Sequence, residues 1–540
     1  MFYRILFCLA LTVGVMLATE EFHLSAQRMR ADVQYLASDK LEGRGVGTAA
    51  ERLATSYLAD QLKRAGAEPA GDNGTWFQRV PLVGSTTSPG ASLQVSNHGK
   101  TFSLAFIKDF VGTTFTQTMN NDFNAEAVFV GHGISAPELG WDDYKGQDVH
   151  GKVLVYFTNE PPSDDPKFFG GRALTYYGRW TYKFEEAARR GAAAALIIHT
   201  TPTAGYGWAV VQGSWSREMP QLEREPGQPA LKLAAWLTED AGAKLVASTG
   251  KSIGQLLAMA NQRSFRPVPL GVRIDGHIPV TLRHIESRNV IGRINGSDPK
   301  LKSQAVLYTA HWDHLGIGVP VNGDKIYNGA VDNATGCAVV LDIARAWAAL
   351  SPKPKRSALF AFVTAEESGL LGSRYYGEHP EVPTGRTAVD INYDALYPFG
   401  KTADVLVSGA ERTTLWPLIQ RDADEMHLDI APDPNPEQGE YYRSDHFSLA
   451  RAGVPAFSVS QGAHYMGKPA DFGKSIFEKY NSEHYHQPSD EYQADWDFSG
   501  MKQMAAFGMR IGIDTANAEE LPSWHTGDEF LRAREQSESN

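Results

Sequence analysis

The stretch "AVLYTAHWDHLGIG", Ala305–Gly318, decides the reading of this chain. It opens on an apolar run, Ala305 to Tyr308, as in a strand buried on both faces of a sheet. It then sets His311, Asp313 and His314 within four residues. Polar groups crowded at the end of a buried strand are costly unless something binds them. A metal ion would bind them, provided the rest of the chain supplies further ligands.

Working outward, strands and helices alternate from about residue 287. "NVIGRI" and "AVLYTAH" are followed by a helical run, "ATGCAVVLDIARAWAAL". Then come "ALFAFVTAEE", "TAVDINYDA", "ADVLVSG", "PAFSVSQ" and a last helix from about 498 to 515. This alternation predicts an α/β fold, a mixed, mostly parallel sheet covered by helices. Upstream, residues 26–70 read as helical. "GTAAERLATSYLADQLKRAG" places Leu53, Tyr57, Leu58 and Leu62 on one face, with Gly66 as the stop. From about 75 to 170 there is no comparable helical run, and segments such as "AEAVFVGHGI" and "KVLVYFT" read as β with long loops. "FEEAARRGAAAALIIHT" then gives a helix, a glycine and a buried strand. The expected organisation is one α/β unit in two pieces, 20–121 and 276–520, around a β-rich insert at 122–275. Residues 521–540 read as a polar tail that frays.

Bulk properties narrow the function. A chain of 540 residues predicts two or three domains. A net charge of −12 argues against nucleic acid or an anionic membrane surface as main partner. Residues 1–19 read as a signal peptide, with "MFYR" ahead of the short apolar run "ILFCLALTVGVMLA". That run is too short for a comfortable membrane span. The expectation is an exported protein, periplasmic or secreted, with no membrane span in the mature chain; a retained N-terminal anchor is the competing reading. Once this segment is removed, Cys337 is the only cysteine, so no internal disulfide is expected. Oligomeric state is not legible.

Sites in such sheets form where strand C-termini meet the loops beyond them. There the sequence delivers Asp332 in "YNGAVDNATG", Glu366 and Glu367 in "FAFVTAEESGLLGS", and Asp394 in "INYDALY". Late in the chain "HYHQPSDEY" adds His484, Tyr485, His486 and Asp490. A His/carboxylate set without cysteine suits a hydrolytic zinc site. The donors exceed what one zinc needs, and two metals bridged by a carboxylate would use them all. Asp313 lies two residues from His311, on the same side of an extended strand, where it can fix the imidazole tautomer. Of the adjacent Glu366 and Glu367, one can bind metal while the other reaches the activated water. His314 reads as a structural or loop residue. Taken singly, Asp332 is an N-cap and Asp394 a turn cap; it is their order along the chain that makes them ligands.

The set "AHWDHLG", "GAVDNATG", "TAEESGLLGS", "NYDAL" and "YHQPSD", in this order, resembles metallopeptidase family twenty-eight, which holds the bacterial leucyl aminopeptidases and the glutamate carboxypeptidases. "LASDKLEGRGVGT" looks like members of the same family. The insert, with "GHGISAPELGWDDYKGQDVHGKVLV" and "RRGAAAALIIH", is similar to a protease-associated domain. The resemblance implies a zinc aminopeptidase/phosphorylase-like fold and two Zn2+ ions per chain. It implies His311, Asp332 and Asp394 on one zinc, and Asp332, Glu367 and His486 on the other. It makes Glu366 the general base and lets Tyr485 polarise the scissile carbonyl. The one departure, "VDNA" where "DDNA" is common, falls on Val331, which is not a ligand. "YYRSDHFSLARAGVP" resembles a segment walling the substrate pocket.

The implied activity is that of an aminopeptidase acting on peptide or protein N-termini. A carboxypeptidase or dipeptidase of the same family is the alternative. It needs a cation for the substrate carboxylate, and Arg374 and Arg443 lie near the motifs. A non-catalytic, receptor-like protein is disfavoured by the full ligand set. A glutaminyl cyclase is disfavoured by that set and by the large insert.

Overall fold

The computed structural model describes residues 22–97 and 99–539. The expected signal peptide lies outside the described residues. Two large sheets organise the chain, one of ten strands and one of eight.

The ten-stranded sheet carries at its centre four parallel strands, Ser357–Val363, Ala305–His311, Thr387–Asn392 and Ala456–Gln461, side by side in that order. Antiparallel strands flank them, so the sheet is mixed rather than mostly parallel. From Ala305–His311 the chain passes first to the neighbour on one side, 357–363, then to the neighbour on the other, 387–392. A crevice opens at such a reversal, above the strand C-termini.

Three of the central strands, 305–311, 357–363 and 387–392, are buried end to end, which explains the long apolar runs of the first two. One face is covered by Gly336–Ala349, Ser499–Asn517 and Ala26–Leu36, all sharing one core with the sheet. Close approach there depends on glycine: a Cβ on Gly512 would lie 1.9 Å from the Tyr308 hydroxyl. Helix Ala49–Ala65 is capped by Thr48 and stopped by Gly66 at φ 91°. Its buried face is built from Ala50, Ala54, Leu58 and Leu62, whereas Leu53 is 41% exposed. The expected face was therefore rotated, because alanines carry most of the contact.

The eight-stranded sheet uses strands from Ser92–Asn97 to Val268–His277. Its centre, Phe123–Phe129, Val153–Tyr156, Ala194–Ile198 and Leu233–Leu237, is also parallel. The long strands Phe77–Thr87 and Val280–Ile294 pair over eleven residues and lead from one sheet to the other. Met219–Leu222, reached from the second sheet, returns as an edge strand of the first.

The C-terminal segment is not a frayed tail. Leu531–Glu538 is a helix anchored by buried Phe530 and by Arg534, whose guanidinium donates to the carbonyls of Thr384, Thr387 and Pro522. Its polar composition hid one buried arginine. Among the described residues no helix is long and apolar enough to cross a membrane.

Candidate metal centre

The C-termini of the central strands deliver the polar groups. His311 is the last residue of its strand. Glu366 and Glu367 follow Val363, where Ala365 turns the backbone at φ 53°. Asp394 follows Asn392 and precedes Ala395 at φ 50°. Asp332 sits in the turn Ala330–Thr335 that opens helix Gly336–Ala349. His486 itself has φ 55°. Left-handed backbone at non-glycine residues costs about 1–3 kcal/mol each, and such strain gathers where side chains are held for function. The loop also needs Gly329 (φ 60°): a Cβ there would lie 2.3 Å from the Asp332 carbonyl and 2.5 Å from the His314 ring.

All six of these groups converge, with Asp332 at the centre. Its Oδ1 lies 3.2 Å from His311 Nε2 and its Oδ2 3.5 Å from His486 Nε2, so one carboxylate faces two imidazoles. On the first side Asp394 Oδ1 is 3.2 Å from His311 Nε2. On the second, Glu367 Oε2 is 3.0 Å from His486 Nε2. Glu366 Oε2 stands 3.9 Å from His311 Nε2. Donor atoms of His311, Asp332 and Glu367 fall within 4.8 Å of one another, close enough to share an ion.

The supporting groups are equally specific. His311 Nδ1 is 3.1 Å from the main-chain carbonyl of Asp313 and 3.9 Å from its carboxylate. That carboxylate accepts from the Glu366 N–H at 3.1 Å. Asp313 thus fixes the imidazole through its backbone and the glutamate turn through its side chain. His314 Nδ1 lies 2.5 Å from Glu367 Oε1. Ser444 donates to Asp394 Oδ2 at 2.6 Å and is held by Asn392. Asp490 accepts from the N–H groups of Val331 and Asp332 at 2.9 and 3.1 Å, fixing the central loop. Arg44, fully buried, donates to the carbonyls of Leu36, Trp312, Asn328 and Gly329 and ties the "LEGRG" segment to two loops of the site. Sequence reasoning gave no role to Ser444, Asp490 or Arg44. "RSDH" and "HQPSD" signalled the first two, and nothing periodic marks the third.

The electrostatics follow from crowding. Burial would lower His311, yet Asp394 and Glu366 hold it well above the ordinary imidazole range. Burial likewise opposes charge on His486, but Glu367 and Asp332 raise it to about 9. Burial would raise Asp332, and its bonds to His311 and His486 hold it well below. Burial pushes Glu366 well above the usual carboxylate range; His311 opposes this and Asp394 and Glu367 add to it. Such a site concentrates negative charge that a cation would neutralise.

A cleft of about 410 Å³ opens beside Glu366, Glu367 and His486. Tyr485 lines it, its ring 4.0 Å from that of His486 and its hydroxyl accepting from Arg443 Nη2 at 3.2 Å. The opposite wall comes from residues 176–215, including Arg179, Trp180 and Tyr206. Arg374 lies on the rim, paired with Glu378 at 3.0 Å.

Residues 289–508 match the family model for Peptidase family M28. Leupeptin-inactivating enzyme 1 of Streptomyces exfoliatus is 25% identical over 187 residues, covering 34% of this chain and 38% of its own length. A vacuolar membrane protease of Meyerozyma guilliermondii is 36% identical over 103 residues, 19% of this chain and 10% of that protein. The chain thus spans only a small part of the curated relatives it matches. The solved aminopeptidase from Aneurinibacillus sp. strain AM-1 shares the fold at a TM-score of 0.52, with 19% identity over 94% of this chain and 97% of that one.

Proposed function

We propose that this protein is a zinc-dependent exopeptidase, an aminopeptidase that removes N-terminal residues from peptides. The observation that carries the reading is the Asp332 carboxylate, whose two oxygens face His311 and His486 separately. His311, Asp332 and Asp394 would hold one zinc ion, and Asp332, Glu367 and His486 the other. The donor set fits zinc, being imidazole and carboxylate without thiolate, and its crowded buried carboxylates suit a divalent cation. Zinc bound there supplies Lewis acidity and an acidified water.

The chain's own residues do the rest. Glu366 stands beside both ligand sets without being needed by either. Burial holds it above the usual carboxylate range, and its place in the cleft suits a group that takes a proton from water and returns it to the leaving amine. Tyr485 presents its hydroxyl to the cleft beside His486 and can donate to the scissile carbonyl oxygen as charge develops. Ser444, Asp490 and His314 keep the carboxylates and imidazoles oriented. The unit built on the second sheet, which we read as a protease-associated domain, walls the cleft and limits the size of the substrate. Residues 1–19 are read as an export signal.

The test uses purified full-length chain. Paired peptides with a free or an acetylated N-terminus are assayed before and after chelation. Chelator-sensitive cleavage of only the free-amine peptide is expected. Cleavage indifferent to acetylation but blocked by C-terminal amidation would overturn the aminopeptidase reading in favour of a carboxypeptidase.

A further inference from the structure

Arg179 is the residue the proposed mechanism leaves unused. It ends the loop that follows Asn159 and precedes helix Trp180–Arg189. Its side chain reaches the cleft that Glu366, Glu367 and His486 also line. Among the described residues its guanidinium makes no ion pair and no hydrogen bond, and Nε is buried without a partner. A guanidinium cannot shed its charge. A half-buried cation with no protein partner is costly to keep, so a fold that retains one on a cleft points to an anion from outside.

Arg443 stands on the same cleft. It is paired with Glu440 at 2.8 Å and also donates to the Tyr485 hydroxyl. One carboxylate therefore serves two guanidinium groups. The like charge of Arg443, added to burial, works against Arg179, so the pair is not held together by attraction. The loop is held from elsewhere. Buried Lys183 donates to the carbonyls of Asn159 and Tyr177 at 2.9 and 2.7 Å. Buried Glu160 accepts from the Thr175 N–H and hydroxyl at 2.8 and 2.5 Å. Both ends of the segment 159–178 are pinned, and Arg179 is held against its repulsive neighbour.

We propose that Arg179 and Arg443 form a carboxylate subsite, so that the preferred substrates are short peptides whose free carboxylate reaches the guanidinium pair while the free amine reaches the metal centre. This rests on the aminopeptidase reading and deepens it to substrate class. Two arginines present planar donor forks suited to a carboxylate. Arg443 is separated from His486 by the single ring of Tyr485, and Arg179 lines the same cleft, so the proposed substrate is a short one. Glu366 and Glu367 in the same cleft repel a free anion, favouring one tethered to an amine.

The experiment compares leucyl-glycine with leucyl-glycinamide on the zinc-loaded full chain, wild type and Arg179→Gln. Wild type is expected to favour the acid by about 10–100-fold in kcat/KM, mostly through KM, as for one or two charge-assisted hydrogen bonds. In Arg179→Gln the acid-to-amide ratio falls to near one, and Arg179→Lys recovers part of it. A ratio near one in the wild type, or one unmoved by Arg179→Gln, overturns the proposal. A preference for leucyl-glutamyl-amide over leucyl-glutaminyl-amide that needs Arg179 would sustain the subsite and assign it to an acidic side chain. If none of these is hydrolysed, the aminopeptidase reading has failed, and calorimetry decides the subsite separately. Tighter binding of leucyl-glycine than of its amide, abolished by Arg179→Gln, supports it; equal binding overturns it.

Discussion

In the ten-stranded sheet, the parallel strands 305–311, 357–363 and 387–392 run out into His311, Glu366 with Glu367, and Asp394. In the eight-stranded sheet, the parallel strands 153–156 and 194–198 run out into Thr158 and His199. Those polar groups are satisfied locally: the Thr158 hydroxyl bonds the Thr203 carbonyl, and His199 Nε2 the Tyr206 carbonyl. At the first sheet the groups face one another instead, carboxylate against imidazole around Asp332. Both sheets have buried, apolar strands. What distinguishes a site from a scaffold is whether strand-end polar groups are satisfied by loop carbonyls or left to each other.

The sharpest way to break this contrast is Glu366→Gln. The variant should keep its bound metal and lose about 10²–10⁴-fold in kcat. A variant of unaltered turnover would remove the glutamate from the chemistry. In the scaffold half, Lys183→Met removes the buried ammonium that donates to the Asn159 and Tyr177 carbonyls and offsets the charge of the nearby buried Asp143 and Glu160. It should cost about 3 kcal/mol, read as a fall in Tm, because breaking a buried ionic cluster exposes its unpaired members.

Acid tests the two halves together. Burial holds His132, beside the second sheet, down to about 4 and His446, beside the first, down to about 3. Unfolded imidazoles take up protons near 6.5, so between pH 6.5 and 4 the unfolded chain binds more protons than the folded one. Stability therefore falls as pH drops through that window, by up to about 3 kcal/mol per residue. A Tm flat from pH 6.5 to 4 would mean that one or both imidazoles are already charged in the fold. The smallest effect belongs to Ser444→Ala. Loss of its bond to Asp394 should lower kcat/KM about 10-fold, with Tm nearly unmoved, if orienting the carboxylate is its role.

The same contrast explains what the sequence disclosed. The grouping of His311, Asp332, Glu366, Glu367 and Asp394 was legible because each stands at a strand or helix boundary beside an apolar run, and His486 was picked out by its place in the ordered set of motifs. The α/β alternation was legible from those same runs. Arg44, Arg179 and Arg534 were not, since an inward-turned arginine leaves no periodic trace: Arg44 and Arg534 bond mainly to backbone carbonyls, several of them far off in sequence, and the Arg179 guanidinium has no partner among the described residues. Helix 49–65 misled in part for a related reason: exposed Leu53 outshines Ala50 and Ala54, which make the contact beside Tyr57, Leu58 and Leu62.

The central claim is that Asp332 joins two ligand sets into one centre. The direct measurement is zinc per chain, by mass spectrometry after exhaustive dialysis, in the wild type and in Asp332→Ala. Two ions per wild-type chain and fewer than one in Asp332→Ala are expected. A single ion in the wild type, or an unchanged count in Asp332→Ala, would contradict the account.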